Sequence, residues 1–82
     1  MEATKTTVKD YILKEFLPGE KPEALTAATP LISGGILDSL ATLKLVTFLE
    51  ENFKIQIEAH EADVEHLNTI DSIAALVHAK MA

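Results

Sequence analysis

All three prolines and all three glycines of this 82-residue chain fall within one stretch, residues 18–37. Neither flank contains a helix breaker, so the chain divides into helix-capable segments joined by a single long connection. Eighty-two residues suffice for one small core and no second one, so residues 1–82 are expected to form a single domain.

Before that connection, Val8, Tyr11, Ile12 and Phe16 recur at helical spacing, with Lys9, Asp10, Lys14 and Glu15 between them. This predicts a helix over residues 4–17. Thr7 and Asp10 offer a weak capping pair, and Pro18 with Gly19 marks the stop. A loop of about twenty residues is unusual in a compact domain and needs its own anchors. Leu25, Leu31, Ile32, Ile36 and Leu37 suit that role, and Gly34-Gly35 permits a tight turn before the next helix.

The second helix is expected over residues 38–53, with Asp38 as N-cap. Its apolar positions, including Leu43, Leu45, Leu49 and Phe53, form a wide stripe, which suggests a central helix with several neighbours. Lys54-Ile55-Gln56-Ile57 alternates polar and apolar residues. With no partner strand in view, it reads as an extended connector that tucks Ile57 inward. A short helical turn over residues 62–67 and a last helix over residues 70–80, capped by Thr69, complete the pattern. Ile70, Ile73, Ala74, Val77 and Met81 mark the buried face of the last helix. The fold class is therefore all-α: a small bundle of three main helices plus one short helix, with a long loop between the first and second.

Composition narrows the function. There is no Cys, which excludes disulfides, thiolate catalysis and Cys-based zinc sites. No apolar run is long enough to span a membrane and no secretory signal is present, so a monomer in the cytoplasm is the default. The net charge of −6 is unevenly placed: −1 before Asp38 (five acids, four lysines) and −5 from there on (eight acids, three lysines). Such a field repels phosphate backbones and argues against nucleic acid; basic protein surfaces are the expected partners. His60, Glu61, Asp63 and His66 have no recognised metal-ligand spacing, so no metal is assigned.

The informative stretch is Gly34-Gly35-Ile36-Leu37-Asp38-Ser39-Leu40. It puts a serine on the first turn of an acid-capped helix at the exit of a long loop, where the hydroxyl is expected to be exposed. Taken alone, Asp38-Ser39 is an ordinary helix start. No G-x-S-x-G elbow is present, and the chain is too short for an oxyanion hole with a substrate pocket, so a hydrolase built on Ser39 with His60, His66 or His78 is disfavoured.

The whole chain resembles the acyl carrier protein family, including its standalone peptidyl and D-alanyl carrier branches. The resemblance rests on Gly35-Ile36-Leu37-Asp38-Ser39-Leu40, the apolar helix from Leu43 to Phe53, the connector with Ile55 and Ile57, and the Thr69-Ile70 helix start. It implies that the protein is not an enzyme but a carrier. Its arm would be 4′-phosphopantetheine, transferred from coenzyme A onto Ser39 by a phosphopantetheinyl transferase and charged with acyl or aminoacyl thioesters. Asp38 would cap the helix and aid recognition, and Leu40 would anchor the motif while partly exposed.

Further expectations follow from the same resemblance. Glu50 and Glu51 match positions that dock on partner enzymes, among them a loading ligase and a downstream transferase or synthase. Lys44, with Ala41, stands where fatty-acid-synthesis carriers place acids. The connector after Ile57 also looks slightly longer than in those carriers and is rich in acid, with Glu58, Glu61, Asp63 and Glu65. Both departures point to a specialised lipid or secondary-metabolite pathway. If cargo is sequestered, Val46, Leu49, Phe53, Ile57, Leu67 and Ile70 would line the pocket; otherwise they are core. The competing expectation is an acidic helical interaction module whose Ser39 stays unmodified.

Overall fold

The computed structural model describes residues 2–21, 23 and 25–81; Met1 and Ala82, the ends of the expected domain, lie outside the described residues. Four α-helices follow one another: α1 (Glu2–Phe16), α2 (Ser39–Phe53), α3 (Val64–Leu67) and α4 (Ile70–Met81). A 3₁₀ turn, Ala59–Glu61, precedes α3, and no strand occurs among the described residues. The protein is a small all-helical bundle.

α1 starts two residues ahead of the expected Thr4, so Thr7 and Asp10 lie inside the helix and do not cap it. It ends at Phe16 because Leu17 precedes Pro18, whose ring disfavours helical geometry at its neighbour. Thr4, Val8 and Ile12 are its buried residues and, spaced by four, form one row along the helix. A hydroxyl in a buried row needs a partner: Thr4 Oγ1 lies 2.9 Å from His78 Nε2, which joins the first turn of α1 to the last turn of α4. Lys5 Nζ reaches Asp71 of α4 at 2.8 Å.

The most extensive helix–helix packing is made by α4, which meets α1, α3 and α2; α2 also meets α1 through Tyr11 and Phe48. Its buried face is Ile70, Ile73, Ala74, Leu76 and Val77. Met81, expected on that face, is 55% exposed, and Leu76 takes the buried place instead. The wide stripe on α2 is only partly covered: Ala41, Leu45, Val46 and Leu49 are buried, whereas Leu40 and Leu43 are each 62% exposed. The extra apolar positions on α2 are surface.

The long loop is held by its own apolar side chains. Leu25, Leu31 and Leu37 are buried in the common core, with Ile32 and Ile36 packed against it. The connector after α2 also turns inward, burying Ile57.

Candidate functional site

The head of α2 is built by its cap. Asp38 has extended backbone geometry, and its carboxylate accepts the Ala41 N–H at 2.8 Å. Its carbonyl accepts the Thr42 N–H at 2.9 Å and the Thr42 hydroxyl at 2.8 Å. Asp38 thus satisfies orphan donors of the first turn and fixes the direction in which the helix leaves the loop. Ser39, the first residue of α2, is exposed.

Two glycines shape the approach. Gly35 has φ +84°, a conformation that side-chain-bearing residues rarely adopt, and a Cβ at Gly34 would collide with the Pro30 carbonyl oxygen. Gly34 is required by space and Gly35 is favoured by its backbone conformation.

Two open grooves meet at Ser39. One, of about 500 Å³, is formed by Ile32 and Leu37 from the loop, Asp38, Ser39 and Thr42 from the head of α2, and Ala62, Asp63 and Val64 from the approach to α3. The other, of about 420 Å³, runs from Ser39, Thr42, Leu43 and Val46 to Ile57, Glu58, Ala59 and Ala62. Thr42 and Ala62 border both, so a long flexible group leaving Ser39 has a polar path and a more apolar one.

The six apolar residues expected around a cargo separate into two sets. Val46 and Ile57 line the second groove. Leu49, Leu67 and Ile70 lie in the closed core, and Phe53 packs against it half-buried.

Among the candidate docking residues, Lys44 and Glu51 are exposed beside a groove of about 400 Å³ shared with Tyr11, Leu43, Thr47 and Phe48. Glu50 is differently employed. Its Oε2 accepts the Ile57 N–H at 2.8 Å and so ties the connector back to α2.

The acidic connector is also partly used internally. Glu61 accepts the Glu58 N–H at 2.9 Å and pairs with Lys80 of α4; its carboxyl is held below the usual range chiefly by the Lys80 hydrogen bond. Asp63 caps α3 by accepting the His66 N–H at 3.0 Å, and the same oxygen lies 2.8 Å from His66 Nδ1. That contact lowers the Asp63 pKa and raises that of His66. Glu58 and Glu65 remain exposed.

One residue outside the sequence expectations proves central. Asn68 Oδ1 accepts the N–H groups of Ile32 at 2.9 Å and Ser33 at 3.0 Å, fastening the loop to the α3–α4 junction. The only hint in the sequence is an asparagine before a helix cap, a common turn residue.

Among the described residues no hydrogen bond joins the Ser39 hydroxyl to a base. One Asp38 carboxylate oxygen accepts the Ala41 N–H, His66 is paired with Asp63 and His78 with Thr4. A serine mounted on the first turn of a capped helix, with no hydrogen-bonded base among the described residues, suits an acceptor that another protein modifies. The exposed hydroxyl between two grooves also fits a flexible prosthetic arm. Fold and site together have the layout of a carrier domain: a small helical bundle with an exposed serine at a helix head.

Comparison with known proteins agrees. The chain is 38% identical, over 68 residues, to a probable acyl carrier protein, PigG, of Serratia sp. (strain ATCC 39006), covering 83% of this chain and 77% of that one. Its structure is similar to a chain in the crystal structure of an FAD-dependent dehydrogenase, with a TM-score of 0.77 and 31% sequence identity, covering 85% of this chain and 97% of that one. No protein-family model matches. The chain belongs to the acyl carrier protein family, whose members are non-catalytic carriers that work with partner enzymes and generally bear a 4′-phosphopantetheine group.

Proposed function

We propose that Ser39 is the attachment point of a 4′-phosphopantetheine arm and that the protein delivers acyl or aminoacyl groups held on it as thioesters. The observation that carries this reading is the exposed Ser39 on the first turn of an Asp38-capped helix, in a chain 38% identical to a probable acyl carrier protein. A phosphopantetheinyl transferase would join Ser39 Oγ to the pantetheine-bearing phosphorus of coenzyme A, breaking the pyrophosphate bond and releasing adenosine 3′,5′-bisphosphate. The hydroxyl proton passes to a base on the transferase. When bound, the arm supplies the thiol that this chain lacks.

The working partners on this reading are a loading ligase and a downstream transferase or synthase. Lys44 and Glu51 contribute to docking, and Asp38 and Leu40 to recognition of the serine. The likeness to a chain of an FAD-dependent dehydrogenase structure supports adding a flavin dehydrogenase to those partners. Lys44, exposed where fatty-acid-synthesis carriers place an acid, favours a specialised pathway over fatty-acid synthesis. The reading also takes the protein to be a monomer working in the cytoplasm; no described helix is long and apolar enough to cross a membrane.

Incubation with coenzyme A, Mg²⁺ and a broad-specificity transferase is expected to add one phosphopantetheine mass, and Ser39→Ala to abolish the gain. An unchanged wild-type mass would favour the unmodified interaction module instead.

A further inference from the structure

Asn68 stands where three parts of the chain meet. It closes α3, its N–H donating to the Val64 carbonyl at 3.1 Å, and it precedes the Thr69 hydroxyl that accepts the Ser72 N–H of α4 at 3.0 Å. Its own carbonyl accepts the Leu31 N–H at 2.6 Å, while Oδ1 accepts those of Ile32 and Ser33 at 2.9 and 3.0 Å. Nδ2 donates to Ser33 Oγ at 3.1 Å. One residue therefore satisfies three successive backbone donors of the loop, from 35 or more positions away in sequence. Backbone donors of an irregular segment need partners, and here one distant residue supplies them.

The order passes onward to the serine. Leu31 O accepts the Leu37 N–H at 2.9 Å and Ile32 O accepts the Gly35 N–H at 3.1 Å, so the segment fastened by Asn68 closes on the residue just before Asp38-Ser39. Ile32 and Leu37 face Asp63 and Val64 across the groove at Ser39, and Asn68 is bonded to both sides of it.

The geometry points to Asn68 as a positioning residue that holds the loop and the Asp38-Ser39 head in the arrangement a modifying transferase recognises. This inference rests on modification of Ser39. A transferase that binds only the ordered loop sees a carrier concentration reduced by the ordered fraction, so loosening the loop raises KM and leaves kcat in place.

The test is steady-state phosphopantetheinylation of wild type, N68A, N68D and a core control, V77A, followed by intact mass. N68A is expected to raise the carrier KM about tenfold with kcat within about twofold. N68D, which keeps an oxygen for Ile32 and Ser33, is expected to restore KM to within about twofold of wild type. V77A, which loosens α4 seven residues beyond Ile70, is expected to leave KM unchanged. An unchanged KM in N68A, or an equal rise in V77A, would overturn the inference while the carrier reading stands. A wild type that gains no mass would instead overturn the carrier reading itself. Should N68A fail to fold, amide exchange in wild type decides: the Ile32, Ser33 and Leu37 amides are expected to exchange together. Free exchange at Ile32 and Ser33 beside a protected Leu37 would overturn the relay.

Discussion

Tyr11 lies flat on Phe48, with ring centroids 3.9 Å apart and ring planes 12° from parallel, and its hydroxyl donates to the Lys44 carbonyl at 3.3 Å. Through this pair α1 meets α2. Burial raises the Tyr11 pKa, so the phenol remains a donor at neutral pH. Phe48→Ala is expected to cost about 2–3 kcal/mol in urea unfolding, and Tyr11→Phe about 0.5 kcal/mol, because its hydrogen bond is long and partly exposed. A Phe48→Ala cost below about 1 kcal/mol would show that α1 is held by α4 alone.

Glu50, a docking candidate by the family resemblance, has its carboxylate engaged with the Ile57 N–H. Glu50→Ala leaves that donor unpaired and is expected to cost about 1–2 kcal/mol, while Glu50→Gln keeps an acceptor and stays within about 0.5 kcal/mol. The Gln variant therefore separates docking from stability. If it weakens partner binding without altering the unfolding midpoint, the charge has a docking role as well.

Lys54 ends α2 in the left-handed region with φ 57°, its N–H donating to the Glu50 carbonyl. A side chain is a burden there, so Lys54→Gly is expected to stabilise the fold by about 0.5–1 kcal/mol. Gly35→Ala runs the other way, with an expected loss of about 1–2 kcal/mol. Thermal denaturation of the two variants should move Tm in opposite directions, and a shared direction would contradict the turn geometry.

The Asp63–His66 pair makes α3 sensitive to pH. The His66 hydrogen bond lowers the Asp63 pKa, so the contribution of Asp63 holds above about pH 4 and fades as acid protonates it. The Asp63 hydrogen bond raises the His66 pKa, so its contribution is whole below about pH 6.5 and fades as pH climbs through the raised value. Between those limits α3 is firmest. An NMR titration is expected to find the His66 imidazole above its ordinary midpoint and to see Asp63→Asn bring it down. A midpoint indifferent to that substitution would contradict the pairing.

Much of this was legible from residue order. Pro18 and the glycines marked the loop, apolar spacing marked the helices, and Asp38 announced the head of α2 and its serine. What escaped were relationships between residues far apart. Asn68 reads as a turn residue until Ile32 and Ser33 are folded against it. Glu50 reads as a surface acid until the connector brings the Ile57 N–H to it. The rank of α4 over α2 also depended on packing: both helices are apolar, but only the arrangement of neighbours decides that Leu40 and Leu43 face outward while Leu76 turns in. Periodicity reports that a helix has a face, not which neighbour covers it.

The bond between Thr4 and His78 closes the chain on itself. In connectivity the described fold is nearly a ring, already pinched shut where the first turn of α1 meets the last turn of α4. A short linker joining those ends, with the chain reopened in the exposed turn at Gly19 and Glu20, would give a circular permutant with the same helices in a new order. It would test whether Ser39 depends on where synthesis starts or only on what surrounds it.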